Sequence, residues 1–394
     1  LAPLKEKKVA SNNNNNETLA LTTAHYWLAV KAIPRLASHK KIALVEKYGL
    51  TALFSSSVDL TLSGLTSRQQ LAVSSPDWQA FSKIITDTEL CQSQILTFDS
   101  PAYPKLLKEI YDPPVVLFIR GNADLLLLPK MAIVGSRNAT ASGREIANKL
   151  ANELTAQFVV TSGMALGIDA QAHLGAMQNQ GFTIAVVATG LDLIYPARHK
   201  ALQKNILENK GLIISEFAPG VAPKAGHFPK RNRLISGLSL GVIVVEASMK
   251  SGSLISARCA LEQGREVFAV PSSIYNLQAK GCHWLIKQGA KLVEGIADIV
   301  EEFEDIVEEF EDIASNGLNL SRNKEKDTSI EKSKEQDLCN DSMLASVGYE
   351  ITPVDVVVSR SKLPIDVVLT RLTVLELRGL VSAVPGGYLK LNRG

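Results

Sequence analysis

The sequence predicts an α/β protein built on a doubly wound, mostly parallel sheet, and three observations carry that reading. From Met131 onward, short apolar runs alternate with small-residue loops and amphipathic stretches, six times in succession. The runs are apolar throughout rather than at every second position, as strands covered on both faces must be. Gly, Ser and cationic residues gather where these runs end, the edge at which an open parallel sheet takes its ligands.

Residues 1–18 are polar, with an Asn run at 12–16, and are expected to be disordered. Residues 19–90 read as a small helical domain, from "TLALTTAHYWLAVKAI" through "ASHKKIALVEKYG" to "LTSRQQLAV". Residues 91–297 form the α/β core. Prolines in "FDSPAYPKLLKEIYDPPVVLFIRGN" set turns before a strand, "VVLFI", and the regular part follows. Its strands are "MAIVG", "FVVTSG", "TIAVVATG", "GLIISEF", "GVIVVEA" and "EVFAVP"; its helices fall near 142–157, 168–180, 199–209, 229–239, 253–263 and 279–288. Residues 298–338 open with a tandem heptapeptide, "DIVEEFEDIVEEFEDI", read as a solvated acidic spacer, with an amphipathic helix as the alternative. A Ser, Asn, Lys and Glu-rich linker completes that segment. Residues 339–394 give three helical stretches and "VSAVPGGYLKL", two short strands about a Gly-Gly turn, the pattern of a winged helix. The third of these helices carries Arg371, Glu376 and Arg378, so a protein contact is as much in view as a DNA groove.

The chain has 394 residues, 46% hydrophobic and 21% charged, enough for two or three globular domains. Its longest apolar runs fall far short of the roughly 20 residues of a spanning helix, so no membrane anchor is expected. Cys91, Cys259, Cys282 and Cys339 are scattered and form no CxxC pair, which argues for a reducing, cytoplasmic setting and against a structural metal. The net charge of +2 conceals an asymmetry: ten acids and no Lys or Arg lie between Glu294 and Asp312, leaving the remainder at +12. A polyanionic partner fits that balance.

Four strand-end loops carry the unusual residues. "GSRNATASG" offers Gly135, Ser136 and Arg137; "TSGMALGID" offers Ser162 and Gly163; "TGLDLIYPARH" offers Arg198; and "EASMKSGSLISA" offers Lys250, Ser251, Gly252 and Ser253. Small residues, hydroxyls and cations before helix N-termini are anion-binding parts. Neither GxGxxG nor GxxxxGK[ST] occurs, so a dinucleotide or P-loop nucleotide is not supported and no cofactor is expected. "HFPKRNRLISG" adds Lys230, Arg231 and Arg233 at the same edge, with Lys230 and Arg233 on one helical face, and Phe228 as the candidate for base stacking. Asp169 and His173, four apart on one helix, offer a metal or acid–base pair, but such a pair is more often a satisfied structural hydrogen bond, and that is the expectation. Glu216 and Glu246 follow strands but lack a nucleophile, so binding is expected and catalysis is not.

The motifs "YDPPVVLFIRGN", "MAIVGSRNATASG", "VTSGMALGIDAQAH", "HFPKRNRLISGLS", "VVEASMKSGSLISARCALEQGREVFAVP" and "GCHWLIKQGA" resemble those of the DNA-processing protein A family, also called DprA or Smf. The resemblance implies a Rossmann-like core that binds single-stranded DNA without cutting it, dimerises, and helps load the RecA recombinase in natural transformation. It likens the helical domain to a sterile-alpha-motif or helix-hairpin-helix module. By motif position it assigns phosphate contacts to Arg137, Ser162, Gly163, Lys230, Arg231, Arg233 and Lys250 to Ser253, with Arg198 filling a basic place after "YP". Two rivals stand beside it. A nucleotide-hydrolysing protein of the lysine-decarboxylase-like group would need a PGGxGT loop and a catalytic Glu, where this chain has "SMKSGSL". A nucleotide-sensing adaptor would bind a mononucleotide tightly.

Overall fold

The computed structural model describes residues 20–56, 58, 60, 63–306, 342–377 and 380–391. The expectations for residues 1–18, the second heptad beyond Ile306, the linker and Arg378 fall outside the described residues. The strands are β1 (Gln94–Thr97), β2 (Val116–Gly121), β3 (Lys130–Val134), β4 (Val159–Ser162), β5 (Thr183–Val187), β6 (Leu212–Ser215), β7 (Gly241–Val244), β8 (Glu266–Ala269) and β9 (Lys291–Leu292). They form one sheet in the order β1-β2-β6-β5-β4-β3-β7-β8-β9. β1 and β2 pair antiparallel with their neighbours, and every pairing from β6 to β9 is parallel. The six runs read from the sequence are β3 to β8. The two-residue edge strand β9 and the hairpin partner β1 were not anticipated.

The crossover helices are α6 (Ala141–Leu154), α7 (Ile168–Gln178), α8 (Lys200–Glu208), α9 (His227–Gly237), α10 (Ser253–Glu262) and α11 (Lys280–Lys287). Strand alternation divides the core between two faces. Ala132, Val134, Val242 and Val244 pack with Leu234, Ile235, Ala257 and Leu285 of α9, α10 and α11. Met131, Ile133, Ile243 and Val245 pack with Leu150, Leu154, Ile168 and Ala172 of α6 and α7. These side chains of the two strands and of Val245 just beyond β7 are all buried, the larger ones contributing about 1.5–3 kcal/mol each through apolar burial, which explains runs with no polar alternation. Gly175 of α7 abuts the Asn148 backbone of α6 with no room for a Cβ, so these two helices cross closely.

Upstream, α1 (Thr23–Ala32), α2 (Ser38–Tyr48), α3 (Ser67–Ser74) and α4 (Trp78–Leu90) form the helical segment, and α5 (Lys105–Lys108) precedes β2. Its Trp27, Val30 and Ile33 share a cluster with Val116, Phe118 and Ile213 of the sheet, so helices and sheet bury one continuous apolar surface. The first heptad copy departs from the solvated-spacer reading. It begins with α12 (Ala297–Val300), and Ile299 and Phe303 are buried, Phe303 edge-on to Phe158 and Phe268. Its spacing of four puts both side chains on one helical face, and burying that face outweighs solvation of the acids opposite.

At the C-terminus, α13 (Ser342–Ser346), α14 (Val354–Ser361) and α15 (Ile365–Leu377) are followed by a hairpin of β10 (Val381–Val384) and β11 (Gly387–Lys390). Met343, Val357, Val368, Leu372 and Val381 form its core. Three helices and a wing make this a winged-helix domain.

Candidate functional site

Strand order reverses between β3 and β7: the chain builds outward from β3 through β4, β5 and β6, then returns to add β7 and β8 on the other side. Side chains cannot fill the crevice outside such a switch point, because the two crossovers leave in opposite directions. Here it holds a cleft of about 750 Å³. Among its lining residues the cations are Arg137, Lys224, Arg231 and Lys250, and the acid is Asp169.

The loop after β3 is clamped. Ser136 donates its backbone N–H to Glu246 O at 2.6 Å and accepts from Ile168 N at 3.2 Å. A Cβ on Gly135 would come within 2.5 Å of Ile168 and 2.9 Å of Glu246 O, so only glycine fits. Ser136 Oγ is engaged as well, with Gln278 Oε1 at 3.1 Å and Asn138 N at 3.1 Å. These bonds fix the backbone and leave Arg137 exposed, its guanidinium 5.4 Å from the centre of the Phe228 ring. Tyr195 lies 5.6 Å from the same ring, making an aromatic and cationic corner at the cleft mouth.

On the facing side, Lys250 is exposed, Ser251 and Ser253 share a 2.6 Å hydroxyl contact at the start of α10, and Gly252 O accepts from Asn232 Nδ2 at 3.3 Å. That last bond ties the loop to α9. Phe228, Arg231, Asn232 and Ile235 of α9 face the cleft.

Not every residue singled out from the sequence reaches solvent. Ser162 is fully buried, and its Oγ donates to Ile133 O at 2.6 Å, stitching β4 to β3. Gly163 is buried too, its carbonyl accepting from Arg231 Nη1, and a Cβ there would collide with that guanidinium. Arg231 is 5% exposed and also donates to Val186 O at 2.6 Å. Burial pulls its pKa down to about 10, and the neighbouring Asp169 opposes that fall. Arg231 is therefore a charge set in the cleft floor. Arg233 leaves the cleft altogether: it pairs with Glu216 at 2.7 Å and lies 3.6 Å from Asp112, on the face of α9 that it shares with the exposed Lys230. Arg198 is exposed on the turn Ala197–His199 and does not line the cleft.

The acid–base candidates are all occupied. Asp169 and His173 do not form the expected pair: Asp169 accepts from Ala165 N at 3.3 Å, and His173 Nδ1 meets Thr183 Oγ1 at 2.7 Å. Burial holds His173 down at about 3, so its ring is neutral. Both Glu216 oxygens bond Arg233. Glu246 accepts from Thr140 N at 2.8 Å, Thr140 Oγ1 at 2.6 Å and Asn276 Nδ2 at 3.2 Å, anchoring the start of α6. Lys224 and Tyr195 were missed by sequence reasoning. Lys224 stands alone in the Gly/Pro/Ala loop "APGVAPKAGHF", and its approach to the end of α9 was the available signal.

Fold and site define a doubly wound α/β protein with a basic cleft at the switch point of its sheet and a winged-helix domain following it in the chain. Residues 94–304 match the family model for DNA recombination-mediator protein A, and residues 331–387 match that for the DprA winged helix domain. The chain is 41% identical over 339 residues to Protein Smf of Escherichia coli, covering 85% of this chain and 87% of that protein. It is 52% identical over 191 residues to DNA processing protein DprA of Streptococcus pneumoniae, covering 48% of this chain and 67% of that one. The X-ray structure of DNA processing protein A from Streptococcus pneumoniae matches with a TM-score of 0.63 at 39% identity, over 72% of this chain and 98% of that one. The chain belongs to the DprA/Smf family of DNA-processing proteins.

Proposed function

We propose that this protein binds single-stranded DNA in the switch-point cleft and acts in recombination as a carrier of the strand, without cutting it. The observation that carries the reading is the cleft's lining: four cations and one acid, at the edge where the backbone is clamped by glycine-dependent contacts. Arg137, Lys224 and Lys250 are the exposed cations and take the phosphates; Arg231 supplies a fixed field from below. Gly135, Ser136 and the Ser251–Ser253 turn shape the path. A single strand fits better than a duplex because its unpaired bases are free to stack on the Phe228 and Tyr195 corner, which is worth about 1–3 kcal/mol per base. With the carboxylates and His173 engaged in structural bonds, binding is the chemistry left to the site.

The recombination-mediator description of the matching family fits this reading. The remaining parts of the proposal, which rest on the resemblance to the family, are delivery of incoming DNA to the RecA recombinase in natural transformation, a homodimeric working form, and a cytoplasmic location. No helix among the described residues is long and apolar enough to cross a membrane.

The test is fluorescence anisotropy of a labelled oligonucleotide over a salt series, with duplex and mononucleotide competitors. Each phosphate contact contributes about −0.7 to the slope of log K against log salt for a single strand. The triple variant Arg137→Ala/Lys224→Ala/Lys250→Ala is expected to flatten the slope by about 2 and to bind at least 100-fold more weakly in low salt. An unchanged slope, or displacement of the strand by a mononucleotide, refutes the proposal.

A further inference from the structure

Behind α9 lies a second basic cavity, of about 690 Å³, where the helical segment meets the sheet. Five cations line it, Lys31, Arg35, Lys41, Lys230 and Arg233, against two carboxylates, Asp112 and Glu216, an excess of three positive charges. The pairing inside is lopsided. Arg233 takes both carboxylates, bonding Glu216 at 2.7 and 2.8 Å and approaching Asp112 at 3.6 Å. Two of its three lysine ammoniums hydrogen-bond backbone carbonyls instead, Lys31 to Glu216 O and Lys41 to Lys31 O at 2.6 Å. Arg233 Nη1 is shielded from solvent and has no hydrogen-bond partner. Lys41 is buried, and its pKa falls to about 8, chiefly through burial and then through Lys31. Burial lowers Lys31 as well, and Glu216 and Asp112 offset only part of the fall in the two lysines, so an anion entering the cavity would hold both ammoniums charged.

The wall between the two cavities is α9 itself. Phe228, Arg231 and Asn232 face the cleft, and Lys230 and Arg233 face the second cavity. An α-helix is about 10 Å across, a distance that about three stacked nucleotides span at 3.4 Å each. We propose that this second cavity is a phosphate subsite for the same DNA strand, which crosses α9 past the exposed Lys230 and ends against the helical segment. The proposal rests on the cleft being the primary strand site. It gives the helical segment a direct part in DNA binding through Lys31, Arg35 and Lys41.

The experiment compares salt slopes for the full chain on single strands of about four and about twenty nucleotides, the shorter unable to keep several phosphates in the cleft and also cross α9. The variants are Arg35→Asn, Lys41→Gln and, as control, Lys40→Gln, an exposed α2 cation outside the cavity. Asn accepts the left-handed backbone of Arg35, φ 51°. Arg35 is exposed, so its variant reports even where loss of the buried Lys41 disturbs the fold. The expected result is a slope on the long strand reduced by about 0.7 in Arg35→Asn and in Lys41→Gln, with the short strand unaffected and Lys40→Gln silent on both. Equal slopes for wild type and Arg35→Asn on the long strand overturn the subsite, as does an equal loss in Lys40→Gln. Inorganic phosphate that raises the melting temperature of wild type but not of Arg35→Asn, with DNA slopes unchanged, replaces the strand with a free anion. Failure of wild type to bind even the short strand removes the cleft reading itself, whereas short-strand binding without added slope on the long strand removes the subsite alone.

Discussion

Arg231 is the residue whose replacement separates architecture from ligand contact. Its guanidinium donates to Gly163 O and Val186 O and stands beside the buried Asp169. Replacing it by Met keeps most of the volume, strands both carbonyls and leaves Asp169 without its cation. Hydrogen bonds from a charged donor are worth about 1.5–3 kcal/mol each, and breaking a buried charge pair costs about 3–5 kcal/mol. These terms overlap, so Arg231→Met is expected to cost about 3–5 kcal/mol in the protection of β4 and α7 amides by native-state hydrogen exchange. The pH dependence has a definite sign. Burial raises the folded pKa of Asp169 and Arg231 opposes the rise, so the variant raises it further. A carboxyl whose folded pKa exceeds its unfolded value loses stability as pH rises between the two, and the deficit of Arg231→Met therefore shrinks on acidification toward pH 4. Adding Asp169→Asn is expected to recover part of the loss at neutral pH. A cost below about 1 kcal/mol, combined with a large fall in DNA affinity, refutes the reasoning, because it makes Arg231 a direct phosphate ligand on a site that folds without it.

Two further outcomes follow from the same geometry. Ser162→Ala removes the bond to Ile133 O and is expected to lower stability by about 1 kcal/mol while leaving DNA affinity within twofold; a larger affinity loss at intact stability assigns the hydroxyl to the ligand. Lys130 is buried with its ammonium on Leu126 O and Leu128 O, and burial pushes its pKa from 10.5 down to about 7. Because the unfolded chain binds that proton more tightly, stability rises with pH between about 7 and 10.5, by up to about 1.4 kcal/mol per unit. Lys130→Met is expected to flatten that rise in thermal unfolding measured across pH, and an unchanged profile counts against a buried, proton-shedding lysine.

The sequence by itself determined strands β3 to β8 and the edge at which the basic cleft opens. Strands β3 to β8 are legible because a parallel strand covered on both faces must be apolar throughout, and the loops after them because Gly, Ser and Arg at strand ends serve anions. Lys230 and Arg233 were also placed correctly on one face, since helical spacing alone fixes that relation. Which face looked outward was a tertiary matter. Successive side chains of α9 fan around its axis, and docking against the ends of β4 and β5 turned Arg231 into the floor and Arg233 toward Glu216. Sequence cannot tell a cation bound for phosphate from one bound for a carboxylate 17 residues away, because the two differ in position and not in chemistry. Lys224 entered the cleft for the converse reason: a lone lysine in a loop has no periodicity to reveal it, and only the closure of that loop onto α9 gave it a place. The first heptad was decided in the same way, when Ile299 and Phe303 found Phe158 and Phe268 on a distant part of the chain. Local pattern is written in neighbouring residues, whereas the partner that buries or neutralises a side chain comes from far along the chain and exists only once the sheet has assembled.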